Sequence, residues 1–513
     1  MNLTENALKN LNGAVHLVLP EAVLLATVCV IFFAAPFLVS ERGEAPAGLR
    51  HRWGWLSLLA LLTAGWLCWN TGVAPRTTGP FVADGLTVFV RGLTLVTGAI
   101  LVLLHWNQAD DSRSAESHAC LLAILAGVDL VAAANDMVGL FVALELISIP
   151  TYLFLLLPRR DAPAQEATLK YFLLSIFSSA IVLFGLSYLY GATGTTNLTA
   201  MHQAFASGKN LPHNILVAVA TVMLIAGLGF RLTAVPFHFY APDVFQGAPT
   251  SAAAMLSFVP KVAGFVALLR LMLPAAAGEA SMHSWMMLPA ATTVLWWLAV
   301  ITMFTGNLMA LLQTDVRRLL AFSSVSHAGY MMVGLVVGMQ ASGQVNGINA
   351  LLFYLAVYGI MTLGAFAVLT AAARSDRRIQ TQDDLAGLSQ TKPVMALILA
   401  IFLFSLTGLP PTAGFLGKFN LFFAAWSQGS EASRSLACLL AANAALGAWY
   451  YLRLIGVMYL RDPVDRSNDT GSIEAPSLVA AVLCTIGTIG LFLAPGPLWH
   501  QIESLVGTVV SVG

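Results

Sequence analysis

The chain has 513 residues, 58% of them hydrophobic and 10% charged, with no formal net charge and a mean hydropathy of +0.79. Soluble domains carry about 25% charged residues, so water cannot solvate most of this surface, and the neutral balance gives no reason to expect a nucleic-acid partner. The cysteines, Cys29, Cys68, Cys120, Cys438 and Cys484, stand singly in apolar runs; without metal-ligand or redox spacing they read as small buried hydrophobes that cannot hold an iron–sulfur cluster or another metal.

A hydrocarbon core of about 30 Å needs roughly 20 apolar residues per helical span. Such runs recur along the whole chain without the alternation of barrel strands, so they are predicted to be helices. About fourteen spans are expected, with cores near 14–39, 55–73, 84–105, 118–134, 136–157, 168–190, 213–239, 250–273, 285–312, 319–339, 348–373, 393–427, 434–460 and 475–496. The first run continues to about Val39, too long for the apolar core of a signal peptide, and Glu5 precedes Lys9; it is expected to be a retained transmembrane helix. Glu21 in this span and Asp129 in the fourth have no companion feature in the sequence and are read as structural.

Orientation follows from the loops. Those after odd-numbered spans carry Arg42, Arg50, Arg52, Arg113, Arg159, Arg160, Arg317, Arg318, Arg374, Arg377, Arg378, Arg461 and Arg466, while the opposite side offers only Lys9, Arg76, Lys209 and Arg434. Both termini are therefore expected on the non-cytoplasmic side.

Continuing along the chain, Glu145 lies near the centre of the fifth span, and Lys170, followed by Tyr171, lies at the cytoplasmic start of the sixth. Snorkelling is easy for Lys170, and a proton-input role is its alternative. Arg231 lies in the seventh span, five residues before Pro236, and His238 follows that proline. Lys261 is near the middle of the eighth span, His327 stands in a serine-rich stretch of the tenth, and Lys418 is deep in the twelfth, eight residues beyond Pro410. Ionisable groups at bilayer depth cost several kcal/mol and default to functional sites. The plainer alternative for each is a helix–helix ion pair that holds the bundle together. Four such residues of mixed sign on four helices (Glu145, Arg231, Lys261, Lys418) favour a working chain of charges. Desolvation and nearby charge move carboxylate and lysine pKa values in opposite senses, so a Glu–Lys set whose pairing opens and closes is a switchable proton site. Arginine effectively never deprotonates, so Arg231 is expected to bias Glu145 without carrying a proton. Histidine titrates near neutrality, which suits His238 and His327 to a relay, although a lone intramembrane histidine is often a plain hydrogen-bond donor.

An internal echo supports a site at the membrane centre. Leu232-Thr233-Ala234-Val235-Pro236 recurs 174 residues later as Leu406-Thr407-Gly408-Leu409-Pro410, each copy inside a long apolar segment. Gly/Pro-interrupted helices at matching places in two halves point to an ion site, because each proline removes a helical hydrogen bond and frees carbonyls.

The motifs around these residues resemble the subunit N family of bacterial NADH–quinone oxidoreductase, respiratory complex I, whose members are antiporter-like. The stretch 144–150 is similar to that family's fifth-helix motif. Residues 166–174, with Tyr190-Gly191-Ala192-Thr193-Gly194, are similar to its sixth helix and are the most subunit-specific segment. Pro236-Phe237-His238 with 241–249 resembles its broken seventh helix, and 408–418 its broken twelfth. The resemblance covers approximately residues 80–460. It implies an all-α polytopic membrane protein with discontinuous helices 7 and 12 and two inverted five-helix repeats. These would comprise N-terminal helices 1–3 (about 1–117), a first repeat of helices 4–8 (about 118–273), a second of helices 9–13 (about 285–460), and helix 14 (about 475–496). It implies a non-redox, proton-translocating subunit of a bacterial inner-membrane translocase, with NAD, flavin, iron–sulfur clusters and quinone in other subunits. The partners it implies are neighbouring antiporter-like and small membrane subunits and the lipid bilayer. By motif, Glu145 is the fifth-helix glutamate, Lys261 the central lysine and Lys418 the exit-side residue; Arg231 stands where the family has lysine. The alternatives are a cation/proton antiporter subunit, a hydrogenase-linked or photosynthetic relative of complex I, and a membrane scaffold whose buried charges are static pairs.

Overall fold

The computed structural model describes residues 13–40, 45–71, 76–159, 161–206, 215–272, 289–340, 346–373, 379–463 and 474–510. Lys9, Lys209, Arg42, Arg160, Arg374, Arg377, Arg378 and Arg466, used above for orientation, lie outside them. The described chain is almost entirely helical. In order the helices are α1 (Leu19–Leu38), α2 (Leu49–Thr71), α3 (Gly85–His105), α4 (Ser114–Ala133), α5 (Met137–Leu156), α6 (Ala162–Thr193), α7 (Leu198–Ala206), α8 (Ile215–Arg231), α9 (Ala241–Gly247) and α10 (Thr250–Met272). There follow α11 (Pro289–Leu311), α12 (Val316–Gln340), α13 (Asn346–Ala372), α14 (Leu388–Thr391), α15 (Pro393–Thr407), α16 (Ala413–Ser427), α17 (Glu431–Leu460), α18 (Ala475–Leu493) and α19 (Gly496–Val510). Among the described residues, 11 helices are long and apolar enough to cross a membrane.

Local chemistry sets the boundaries. Asp84, Asp136, Asp161 and Ser430 stand at helix N-caps and accept backbone N–H bonds from the first turns of α3, α5, α6 and α17, satisfying donors that a helix leaves unpaired. The two Gly/Pro segments interrupt helices as the sequence predicts. α8 stops at Arg231 and the short α9 starts at Ala241; α15 stops at Thr407 and α16 starts at Ala413. The Val235–Pro236 and Pro410–Pro411 bonds are cis. Elements without a counterpart in the predicted set include an antiparallel hairpin of β1 (Arg76–Thr78) and β2 (Phe81–Ala83) and the helices α7, α14 and α19, each too short or too polar to register as a span.

Burial ranks the helices. The apolar windows of α10 and α12 are wholly buried and that of α13 is 94% buried, whereas those of α1, α6 and α18 are buried by only 28–33%. The first three therefore form the centre of the bundle, and the others offer apolar faces such as Phe33, Phe37, Phe177 and Leu493 to the surroundings. Close helix contact is built in at Gly329 of α12, where a side chain would meet backbone atoms of α11 at Met303 and Ala299; small residues permit this approach in membrane bundles.

Candidate functional site

Arg231 is the last residue of α8, where a cation complements the carbonyl end of the helix dipole. Its guanidinium is 4% exposed and lies 3.7 Å from the Glu145 carboxylate. Nη2 donates to the Leu144 carbonyl at 3.1 Å and to Ser148 Oγ at 2.9 Å, both on α5 beside Glu145. Ser179 of α6 donates to Glu145 Oε1 at 2.5 Å. Glu145 is 25% exposed, so this cation–carboxylate group opens on the side of the bundle where α5 and α6 meet.

A second group occupies the centre. Lys261 is fully buried on α10, and its ammonium donates to Ser324 Oγ of α12 at 2.6 Å. The Tyr358 hydroxyl donates to the same oxygen at 2.9 Å. His327, one turn along α12 from Ser324, packs its ring 5.0 Å from that of Tyr358. Its Nδ1 is 2.6 Å from the Tyr354 hydroxyl, and its Nε2 is 3.1 Å from the Tyr451 hydroxyl, which is itself bonded to Ser323. Lys418 closes the row, its ammonium 5.0 Å from the Tyr330 ring centroid, within cation–π range. That ammonium carries no carboxylate partner among the described residues. It donates instead to the Leu406 and Thr407 carbonyls at 2.8 and 2.9 Å. These belong to the last turn of α15, whose carbonyls a helix cannot satisfy itself, so Lys418 caps the helix broken ahead of it. Gly408 makes the turn possible: it holds φ +85°, and a side chain there would meet Lys418 Cδ at 2.8 Å.

The structure thus gathers Lys261, His327 and Lys418 into one buried row of amines, hydroxyls and an imidazole, and it pairs Arg231 with Glu145. Among the described residues no hydrogen bond joins the two groups. They meet through packing, because Gly264, one turn beyond Lys261 on α10, lies against Arg231 Cβ.

Lys170 sits elsewhere. Its side chain is 40% exposed and pairs with Glu166 and Asp243, each at 2.7 Å. Arg318 of α12 donates to the other Asp243 oxygen at 2.6 Å, so Asp243, on α9 outside the candidate spans, ties α6 to α12. Partial burial pushes the Asp243 carboxyl up, but the bonds from Lys170 and Arg318 outweigh it and hold the group below the usual carboxylate range. His238 is half-buried between α8 and α9, and its buried Nδ1 makes no hydrogen bond among the described residues. Ser324, Tyr354, Tyr358 and Tyr451 are not among the residues that the sequence singles out. The legible signals for them were the polar stretch beside His327 and the i, i+4 tyrosine pair on α13. No three His, Cys, Asp or Glu side chains among the described residues gather into a metal-binding group.

Residues 134–441 match the family described as NADH:quinone oxidoreductase/Mrp antiporter, TM. The chain is 36% identical over 483 residues to NADH-quinone oxidoreductase subunit N 1 of Solibacter usitatus, covering 93% of this chain and 94% of that one. It belongs to the subunit N family of NADH-quinone oxidoreductases. Among solved structures, a chain of respiratory complex I from Thermus thermophilus superposes with a TM-score of 0.75 at 30% identity, covering 94% of this chain and 98% of that one. A chain of the Mrp complex from a Dietzia species superposes with a TM-score of 0.77 at 21% identity, covering 96% and 98%; at that identity the likeness is one of fold alone. With this family membership, the apolar helices are those of a multi-pass membrane protein.

Proposed function

We propose that the chain moves protons across the membrane as a subunit of an NADH–quinone oxidoreductase, a translocase whose oxidation of NADH and reduction of quinone take place in other subunits. The observation that carries this reading is the buried row from Lys261 through Ser324, Tyr358 and His327 to Lys418. An ammonium hydrogen-bonded to a hydroxyl, next to an imidazole ringed by phenols, can pass a proton stepwise without exposing a charge to lipid. Arg231 stays charged throughout. Its part is to hold Glu145, and a change in that pairing alters the field at Lys261 one turn from the α8–α10 contact. Energy from quinone reduction would arrive in this form.

In this reading the arginine-rich loops face the cytoplasm of a bacterial inner membrane, and both termini face away from it. The fourteen predicted spans include two inverted five-helix repeats, about 118–273 and 285–460, interrupted at 232–240 and 408–412. NAD, flavin, iron–sulfur clusters and quinone belong to other subunits, since the single cysteines here lack ligand spacing. The exposed apolar faces of the outer helices and the open side of Glu145 suit contact with lipid and with antiporter-like and small membrane subunits. The Lys170–Asp243–Arg318 cluster acts as a clamp between α6, α9 and α12, not as a proton carrier. The test is a Lys261→Met variant in native membrane vesicles. Assembly should persist while NADH-driven proton pumping falls at least several-fold; full pumping by an assembled complex would overturn the reading. Purification without a flavin- and iron–sulfur-bearing complex would instead favour a cation/proton antiporter.

A further inference from the structure

At the end of the bundle that carries the β1–β2 hairpin, five charged side chains are buried: Glu21, Asp84, Arg91, Asp129 and Arg270, none more than 3% exposed. Four of them precede the residues that match the family. Arg270 grips Asp84 with two bonds of 2.5 and 2.6 Å. Arg91 grips Glu21 in the same forked way, Nε to Oε1 at 2.7 Å and Nη2 to Oε2 at 3.0 Å, and adds a bond to the Leu17 carbonyl. Two guanidiniums therefore balance two carboxylates, and each pair is closed. Asp129 is the fifth group. Among the described residues its Oδ1 is buried without a hydrogen-bond partner, and the Thr94 hydroxyl alone attends the rest of the carboxyl. The titratable and charged neighbours that face it are Glu21 from α1, Cys68 from α2 and Arg91 from α3; α10 contributes Arg270, already committed to Asp84, and α5 contributes no charge beyond Glu145, which is paired with Arg231.

A third carboxylate in this apolar layer would be an unpaired charge beside a like one, the arrangement an interior tolerates least. A proton removes it. We propose that Glu21 and Asp129 form a proton-binding site in which two carboxyls share one proton and one guanidinium. With Arg91 on Glu21, the proposal assigns the proton to Asp129. Transfer breaks the O–H bond on Asp129, forms one on Glu21 and swings Arg91 to the new carboxylate, so the number of protons and the net charge are conserved. Neither residue belongs to the Lys261–Lys418 row, and the site stands whether or not that row pumps.

Infrared difference spectra of the intact complex purified from native membranes test this. Asp129→Asn should remove one protonated-carboxyl carbonyl band that shifts in heavy water in the parent protein. Glu21→Gln should remove the same band although Asp129 is intact, because Arg91 then has Asp129 as its sole carboxylate partner and the proton leaves. Both substitutions keep shape and leave guanidiniums and carboxylates in balance, so folding should survive. Loss of the band in Asp129→Asn but not in Glu21→Gln would overturn the shared proton. An unchanged band in Asp129→Asn, or neutralisation that depends on sodium, would overturn the site itself.

Discussion

Replacing Lys418 by methionine keeps the length of the side chain and deletes every donor. In the native protein its ammonium satisfies the Leu406 and Thr407 carbonyls in a buried break between α15 and α16. A buried acceptor stripped of its partner costs about 1–3 kcal/mol, so two of them amount to roughly 2–6 kcal/mol. Relief from burying an ammonium offsets part of this, which leaves the lower end of the range as the expectation. At about 1.4 kcal/mol per factor of ten, amide hydrogen exchange of the 408–414 segment should quicken by at least about tenfold. In the assembled complex, NADH-driven acidification of membrane vesicles should fall in parallel. Unchanged exchange together with full pumping would show that the two carbonyl contacts hold nothing and that no proton passes this lysine.

Other outcomes follow from the same geometry. Arg231→Lys should leave pumping within a few-fold of the parent, since a cation near Glu145 is retained, whereas Arg231→Met should lower it sharply; vesicle acidification separates the two. His327→Phe keeps the packing against Tyr358 but removes both contacts to Tyr354 and Tyr451; it should slow pumping at least several-fold, and the stripped Tyr354 hydroxyl should cost about 1–3 kcal/mol, seen as a modest fall in melting temperature. Asp243→Asn takes the shared carboxylate from Lys170 and Arg318, leaving Lys170 with Glu166 alone. As both pairs are part-exposed, the loss should be about 1 kcal/mol or less and should shrink with salt. Because the Asp243 carboxyl is held below its ordinary range, its contribution is present above the ordinary carboxylate pKa and is lost as pH falls through the lowered value. Thermal melts should show that acid-side loss in the parent and not in the variant.

Much of this arrangement was legible in the chain. The echo at Pro236 and Pro410 foretold both helix breaks, and depth within apolar runs singled out Glu145, Lys261 and Lys418. Periodicity could not say which faces meet. Glu21 and Asp129 lie more than 100 residues apart and looked isolated, yet α1, α3 and α4 bring them to one guanidinium. Arg91 escaped notice because a single arginine in an apolar run carries no label of its partner. The hydroxyls of Ser324, Tyr354, Tyr358 and Tyr451 were hidden for another reason: tyrosine and serine are ordinary in membrane helices, and only their convergence on His327 gives them meaning. Lys170 marks the opposite limit. Its place near a helix start suits snorkelling and proton input alike, and nothing in the sequence announces its pairing with Glu166 and Asp243.

The carbonyl cradle of Lys418 has a consequence for timing. An ammonium has three N–H groups and a neutral amine still has two, so the same pair of backbone oxygens can grip the side chain before and after it gives up its proton. A carboxylate partner would release or seize the lysine with each change of charge. Under the proposed function the station keeps its coordinates while its electrical state alternates, and any motion that gates the handover comes from its neighbours.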